Sequence, residues 1–375
     1  MTLSLVTPAF SKYRREGLWN VFAAHVPLLA TLALGFYFYV ATALSPHFAL
    51  VVLLGIALIS FVLWPRFALC LLLAGMLFQY FWIGVFMDSV TDDNHLRLLS
   101  LTNPLVTNLL FVCAFVYLVN RWRILPDAIK KTCILGAVFV VISLVYAVLG
   151  AARESFESAF QYFRNYSGIL IYFVLGAAFG LRLSLQSIFK LFVPFGVMLA
   201  VYGFVEIFFP YDLYLFVHLT DYFHMKFADI STNRQELTFY GIEDTITFLT
   251  VPFLNLSGDF GLNIKSLRLV GPIFHFISYG YAMAFFFLVA IMAERRLAAL
   301  LMIPVFLMIG AKGALVMVFF ALLTLAITRI TRKADSTLSL LSVILVVYTL
   351  LVLVYGFLSH DNHFDGLLSC VSGFL

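Results

Sequence analysis

Apolar residues in this chain come in long runs separated by tight polar connections, and the run length matches a membrane helix rather than a strand or an amphipathic surface helix. About 20 apolar residues cross the hydrocarbon core of a bilayer as a helix. Eleven runs are read this way: Asn20 to Leu44, Phe48 to Leu63, Phe67 to Met87, Leu105 to Val119, Cys133 to Gly150, Gly168 to Gly180, Ile188 to Phe209, Gly271 to Met292, Leu297 to Gly310, Gly313 to Thr328 and Leu338 to Leu358. The pattern predicts an all-α, polytopic transmembrane helix bundle, with residues 1–375 forming a single membrane domain. The one long polar interruption, Tyr211 to Val270, is read as a large loop within it.

Composition agrees with the pattern. The 375-residue chain is 63% hydrophobic and 11% charged, with mean hydropathy +1.04, whereas soluble domains carry roughly 25% charged residues. The first run follows a basic start and ends in Ala41-Thr42-Ala43, a signal-peptide-like ending. Its apolar stretch exceeds the usual core of a cleaved signal, so it reads as the first membrane helix. The final stretch, Leu367 to Leu375, turns apolar again and is too short to span. That suggests a truncated chain whose full-length form has twelve or more spans.

Charge orients the bundle. With the N-terminus inside, the cytoplasmic connections hold Lys12, Arg14, Arg15, Arg66, Arg121, Arg123, Lys130, Lys131, Arg182, Lys190, Arg295, Arg296, Arg329, Arg332 and Lys333, fifteen of the 23 cations. Only Glu16, Asp127, Glu294 and Asp335 among the acids lie with them. Lys and Arg favour short cytoplasmic loops, so this orientation is preferred and the Tyr211 to Val270 segment faces away from the cytoplasm. The net charge of +4 then follows from membrane orientation and gives no indication of nucleic-acid binding.

Ionisable groups near membrane spans are expensive and therefore candidates for function. Arg164 stands in Gln161-Tyr162-Phe163-Arg164-Asn165-Tyr166, and Glu206 closes the seventh run in Tyr202-Gly203-Phe204-Val205-Glu206. Lys265 and Arg268 precede Gly271-Pro272 where the chain re-enters the membrane, and Lys312 occupies the turn Gly310-Ala311-Lys312-Gly313. A guanidinium offers the planar, bidentate donor set that suits phosphate oxygens, which favours Arg268 and Arg164. Plainer roles compete: interfacial anchoring for Arg164, a structural ion pair with an arginine for Glu206, and a hairpin turn around Lys312. His275 follows Pro272 at a helix start, where packed or interfacial histidines are common. His360, Asp361, His363 and Asp365 are dense enough to resemble a metal site but read as a polar external loop, with His363 a candidate base.

Within the long polar segment, Tyr211 to Phe227 reads as one aromatic, weakly amphipathic helix lying in the interface. Asp229 to Asp244 is the most polar stretch, with Arg234 among the side chains suited to a sugar. Cys70, Cys113, Cys133 and Cys370 lack metal spacing, and no disulfide or zinc site is expected. There is no nucleotide-binding glycine motif.

The Phe163-Arg164-Asn165 stretch, Tyr202 to Glu206 ahead of the loop, Arg268-Leu269-Val270-Gly271-Pro272 behind it and Gly310-Ala311-Lys312-Gly313-Ala314 occur in an order, over roughly residues 150 to 330, that resembles the bacterial O-antigen ligase and Wzy-type polysaccharide polymerase superfamily. The resemblance implies a multi-pass inner-membrane glycosyltransferase with a periplasmic loop, acting on undecaprenyl-diphosphate-linked glycan without a cofactor or metal. It also implies membrane lipid and other polysaccharide-assembly proteins as partners, and no nucleic acid. The family's external arginines correspond to Arg164 and Arg268, and Ala311-Lys312-Gly313 stands where Ser-Arg-Gly is frequent, keeping the charge but not the fork. On this reading Arg268, Arg164, Glu206 and His363 are the catalytic candidates, and Lys312, Lys265, Arg234 and His275 the substrate-binding ones. A polymerase, a ligase passing glycan to lipid A core, and a lipid-linked oligosaccharide flippase all remain open. The flippase is disfavoured because no repeat of halves is visible and the charged candidates gather at one depth.

Overall fold

The computed structural model describes residues 7–90, 93–153, 156–228, 241–252 and 265–331. In chain order the helices are α1 Thr7–Ala43, α2 Pro46–Leu63, α3 Pro65–Val85, α4 Asp93–Ser100, α5 Thr102–Asn120, α6 Asp127–Arg153, α7 Phe156–Arg182, α8 Leu185–Phe208, α9 Pro210–Phe216, α10 Leu219–Ala228, α11 Ile242–Leu249, α12 Phe276–Met292, α13 Arg296–Ile309 and α14 Lys312–Thr331. A short antiparallel ribbon pairs β1, Thr250–Pro252, with β2, Lys265–Leu267. Six helical stretches among the described residues are long and apolar enough to cross a membrane: His25–Ala43, Pro46–Leu63, Pro65–Val85, Asn94–Asn120, Asp127–Ala151 and Leu185–Phe208. The apolar parts of α7, α12, α13 and α14 are shorter, and the expected run from Leu338 to Leu358 lies outside the described residues.

The chain divides into two compact units, residues 1–120 with 175–315 and residues 121–174 with 316–375. In the first, α1 packs on α2, α3 and α8, α5 packs on α2 and α3, and α8 packs on α12 and α13. Gln79 on α3 is buried and bridges the α4–α5 junction: its amide donates to the Ser100 carbonyl at 2.8 Å and its oxygen accepts from the Asn103 N–H at 3.0 Å. Tyr37 of α1 and Thr102 join their hydroxyls at 2.9 Å beside it. A buried amide satisfied on both sides fixes helix register in a way that interchangeable leucines do not. In the second unit α6 leaves apolar side chains such as Leu135 and Tyr146 exposed, a surface suited to lipid.

Ser184 caps α8 by accepting from the Ser187 N–H. Further along α8, Gly196 and Gly203 allow α12 and α13 to approach. A Cβ at Gly203 would overlap Val305 and the Tyr279 hydroxyl, and that hydroxyl donates to the Leu199 carbonyl at 2.7 Å. Small residues at such crossings let membrane helices touch closely. Gly203→Ala is therefore expected to destabilise the protein by about 1–3 kcal/mol through overpacking. Gly55→Ala, at an α2 position with open space around it, is expected to be neutral or slightly stabilising. Thermal midpoints of the two variants in detergent compare them directly, and equal midpoints would contradict the close α8–α12–α13 contact.

The single interfacial helix expected over Tyr211 to Phe227 is broken in two. Pro210 opens α9 at a position where its missing N–H costs nothing, and His218, at φ 44°, turns the chain into α10. The break puts Leu213, Tyr214, Val217, Leu219, Tyr222 and Phe223 into one cluster with Leu249, Val270 and Phe274. Tyr80, Phe81 and Val85 from α3 and Tyr202 from α8 pack around it. The described part of the polar segment is thus seated on helix ends by its own aromatics.

Candidate functional site

The chain returns from the ribbon to α12 through residues 268–275, and this return is built with little freedom. The Arg268 N–H donates to the Leu249 carbonyl at 2.8 Å, continuing the pairing of Thr250 with Leu267. Gly271 has φ 62°, which favours glycine, and a Cβ there would also meet the Tyr279 ring. The turn closes with Phe274 N–H to Gly271 carbonyl at 3.1 Å and His275 N–H to Val270 carbonyl at 3.2 Å. From the α3 side, the Phe81 N–H donates to the Pro272 carbonyl at 3.1 Å.

Glu206 holds this return from α8. It is fully buried, and its carboxylate accepts from the Val270 N–H at 2.7 Å, the Gly271 N–H at 3.1 Å and the Tyr214 hydroxyl at 2.7 Å. The sequence offers it as a base or as the partner of an arginine; among the described residues no arginine pairs with it. Both oxygens are occupied, and the partners are two backbone N–H groups and a phenol. Burial and the neighbouring carboxylate raise the Tyr214 phenol well above its ordinary range, so it stays protonated and able to donate. Glu206 is a positioning residue for the segment carrying Arg268.

Arg268 projects from that segment over the ring of Phe276, with Cζ 3.4 Å from the ring centroid. Its Nε is buried without a hydrogen-bond partner among the described residues, and no carboxylate among them pairs with it. Burial lowers the guanidinium's pKa, yet an arginine keeps its charge. Phe276 also stacks on His275, with centroids 5.4 Å apart and planes at 12°. His275 itself caps α12: Nδ1 accepts from the Ser278 N–H at 3.2 Å and lies 2.9 Å from the Ser278 hydroxyl. That ring nitrogen is engaged in the helix start.

The structure therefore brings Arg268, His275 and the return segment held by Glu206 together around Phe276. Neither Phe276 nor Tyr214 was singled out in sequence, since one more aromatic in a chain with 42 phenylalanines and 18 tyrosines carries no signal. Arg164 falls on α7, and Lys265 and Lys312 fall on β2 and the start of α14. The side chains of all three lie outside the described residues, as do Arg234 and His363 altogether. Gly310, at φ 65°, ends α13 in the left-handed region just before Lys312, a standard helix stop. No group of acidic, histidine and cysteine side chains capable of holding a metal occurs among the described residues. No family model, curated protein or solved structure matches the chain.

Proposed function

We propose that this chain is a bacterial inner-membrane glycosyltransferase that polymerises undecaprenyl-diphosphate-linked repeat units at the periplasmic face, with its N-terminus in the cytoplasm. The observation that carries the reading is Arg268: a half-buried guanidinium with no acid partner among the described residues, stacked on an aromatic ring where a polar segment meets an apolar helix. A cation left uncompensated in a poorly solvated place is suited to an anionic substrate group. The charge distribution supports the outward orientation of the loop, and the order of motifs along the chain supports the enzyme class.

In the proposed reaction the acceptor sugar hydroxyl attacks the anomeric carbon of the lipid-linked donor. The C–O bond to the diphosphate breaks with inversion, and the lipid diphosphate leaves as an anion stabilised by Arg268, with Lys312 as a further candidate. The acceptor proton passes to a base, for which the sequence offers Glu206 and His363; Glu206 accepts from the Val270 and Gly271 N–H groups and the Tyr214 hydroxyl. A ligase would use the same donor but deliver the finished glycan to lipid A core.

Cells carrying Arg268→Ala or Arg164→Ala test the reading by the intermediate they accumulate. Single lipid-linked repeat units on the outer leaflet are the expected result. Long lipid-linked chains without transfer would select the ligase, and repeat units trapped on the inner leaflet would overturn the enzyme in favour of a flippase.

A further inference from the structure

A second arginine in the first unit is built into the membrane-facing surface. Arg182, the last residue of α7, donates through Nη1 to the Phe61 carbonyl and through Nη2 to the Val62 carbonyl at 2.9 Å. These are carbonyls of the last turn of α2, which a helix leaves without internal partners. The guanidinium lies 4.9 Å from the Phe61 ring centroid and 5.4 Å from that of Tyr117, so its plane is set by rings as well as by carbonyls. No carboxylate among the described residues pairs with it.

Beside this guanidinium is a cavity of about 380 Å³ between α2 and α5. Val62, Val112 and Val116 are among its apolar lining residues, and Tyr117, Asn120 and Arg182 supply its polar lining. The three valines are exposed on a helix surface that composition assigns to lipid. Arg182, on the Phe61 and Val62 carbonyls, lies next to the turn from α2 into α3 that carries Trp64 and Arg66, with Trp64 stacked on Phe67. Aromatic and basic residues together mark the level of lipid headgroups.

We propose that this groove is a binding site for one anionic phospholipid, an acyl chain lying along Val62, Val112 and Val116 and the phosphate resting on Arg182 and Asn120. The occupant follows from complementarity. A wholly apolar guest leaves the cation uncompensated, a free inorganic anion leaves the valine wall uncovered, and a phospholipid satisfies both. Arg182 has N–H donors beyond the two held by the carbonyls, because a guanidinium carries five. The site is separate from Arg268, and its failure would leave the glycosyl-transfer reading untouched.

Native mass spectrometry of the purified full chain in detergent, titrated with dioleoylphosphatidylglycerol or dioleoylphosphatidylcholine, tests the site. Wild-type protein is expected to hold one phosphatidylglycerol with about a fivefold preference over the zwitterionic lipid, the increment of one basic residue near anionic headgroups. Arg182→Gln is expected to remove the preference. Because Arg182 also caps α2 and its variant is at risk of misfolding, Val116→Trp provides a second test by filling the groove while leaving the arginine in place. It is expected to lose the bound lipid. Unchanged occupancy and preference in Val116→Trp would overturn the proposal.

Discussion

Glu206→Ala is expected to be among the most destabilising single substitutions in the described chain, by about 3–5 kcal/mol, because three donors lose their acceptor in a site without water access. The Val270 and Gly271 N–H groups and the Tyr214 hydroxyl point at one carboxylate, and each buried donor left unsatisfied costs roughly 1–3 kcal/mol. Glu206→Gln separates hydrogen bonding from shape. The amide keeps one accepting oxygen, but its NH2 must face a donor that Glu206 now satisfies, so an intermediate loss is expected. The measurement is the thermal midpoint of detergent-solubilised protein by size-exclusion after heating, in the order wild type, Gln, Ala. A Gln variant as stable as wild type would show that the second oxygen is not held by the backbone. If the Gln variant folds, activity is expected to fall through displacement of Arg268. That loss would then be accompanied by a weaker apparent affinity for the lipid-linked donor, which a purely global destabilisation would not produce at low temperature.

The six long apolar helices were legible because their signal is additive: every residue of a span contributes the same preference for hydrocarbon, so no single contact decides the outcome. The short elements between Pro210 and Leu267 were not legible in this way. Leu213, Tyr214 and Tyr222 become core residues only because Tyr80, Phe81 and Tyr202, distant in sequence, pack against them, and local periodicity does not encode that. Glu206 illustrates the same limit at the site. Its cost in the membrane made it conspicuous, but a charge-pairing argument seeks an arginine, and two of its three partners are backbone N–H groups that almost every residue possesses. For Arg268 the residue type and its place before Gly271-Pro272 were enough to single it out, whereas the Phe276 platform depends on the turn at Gly271 bringing residues eight apart face to face.

On the proposed glycosyl-transfer reading, Arg268→Ala is expected to lower the rate of glycan transfer by about 10²–10³-fold, the usual loss when one preorganised donor to a developing anion is removed. The structural cost is expected to be small, since within the described fold the side chain gives up only its contact with Phe276, while the backbone N–H to Leu249 is retained by alanine. Arg268→Lys distinguishes charge from shape. Lysine restores the positive charge but has neither the fork for two phosphate oxygens nor a flat face to lie on Phe276, so activity is expected between the two, nearer to Ala if bidentate contact dominates. Phe276→Leu keeps the arginine and removes the ring under it. A guanidinium–aromatic contact contributes about 0.5–2 kcal/mol, so a roughly 2- to 30-fold loss is expected if the stack holds the guanidinium in its reactive place. These variants are compared in reconstituted vesicles with purified lipid-linked repeat units, following chain growth. Wild-type rates in Arg268→Ala would remove the guanidinium from the chemistry. Loss in Arg268→Ala with no effect in Phe276→Leu would retain the guanidinium as the anion site and assign the ring to packing alone.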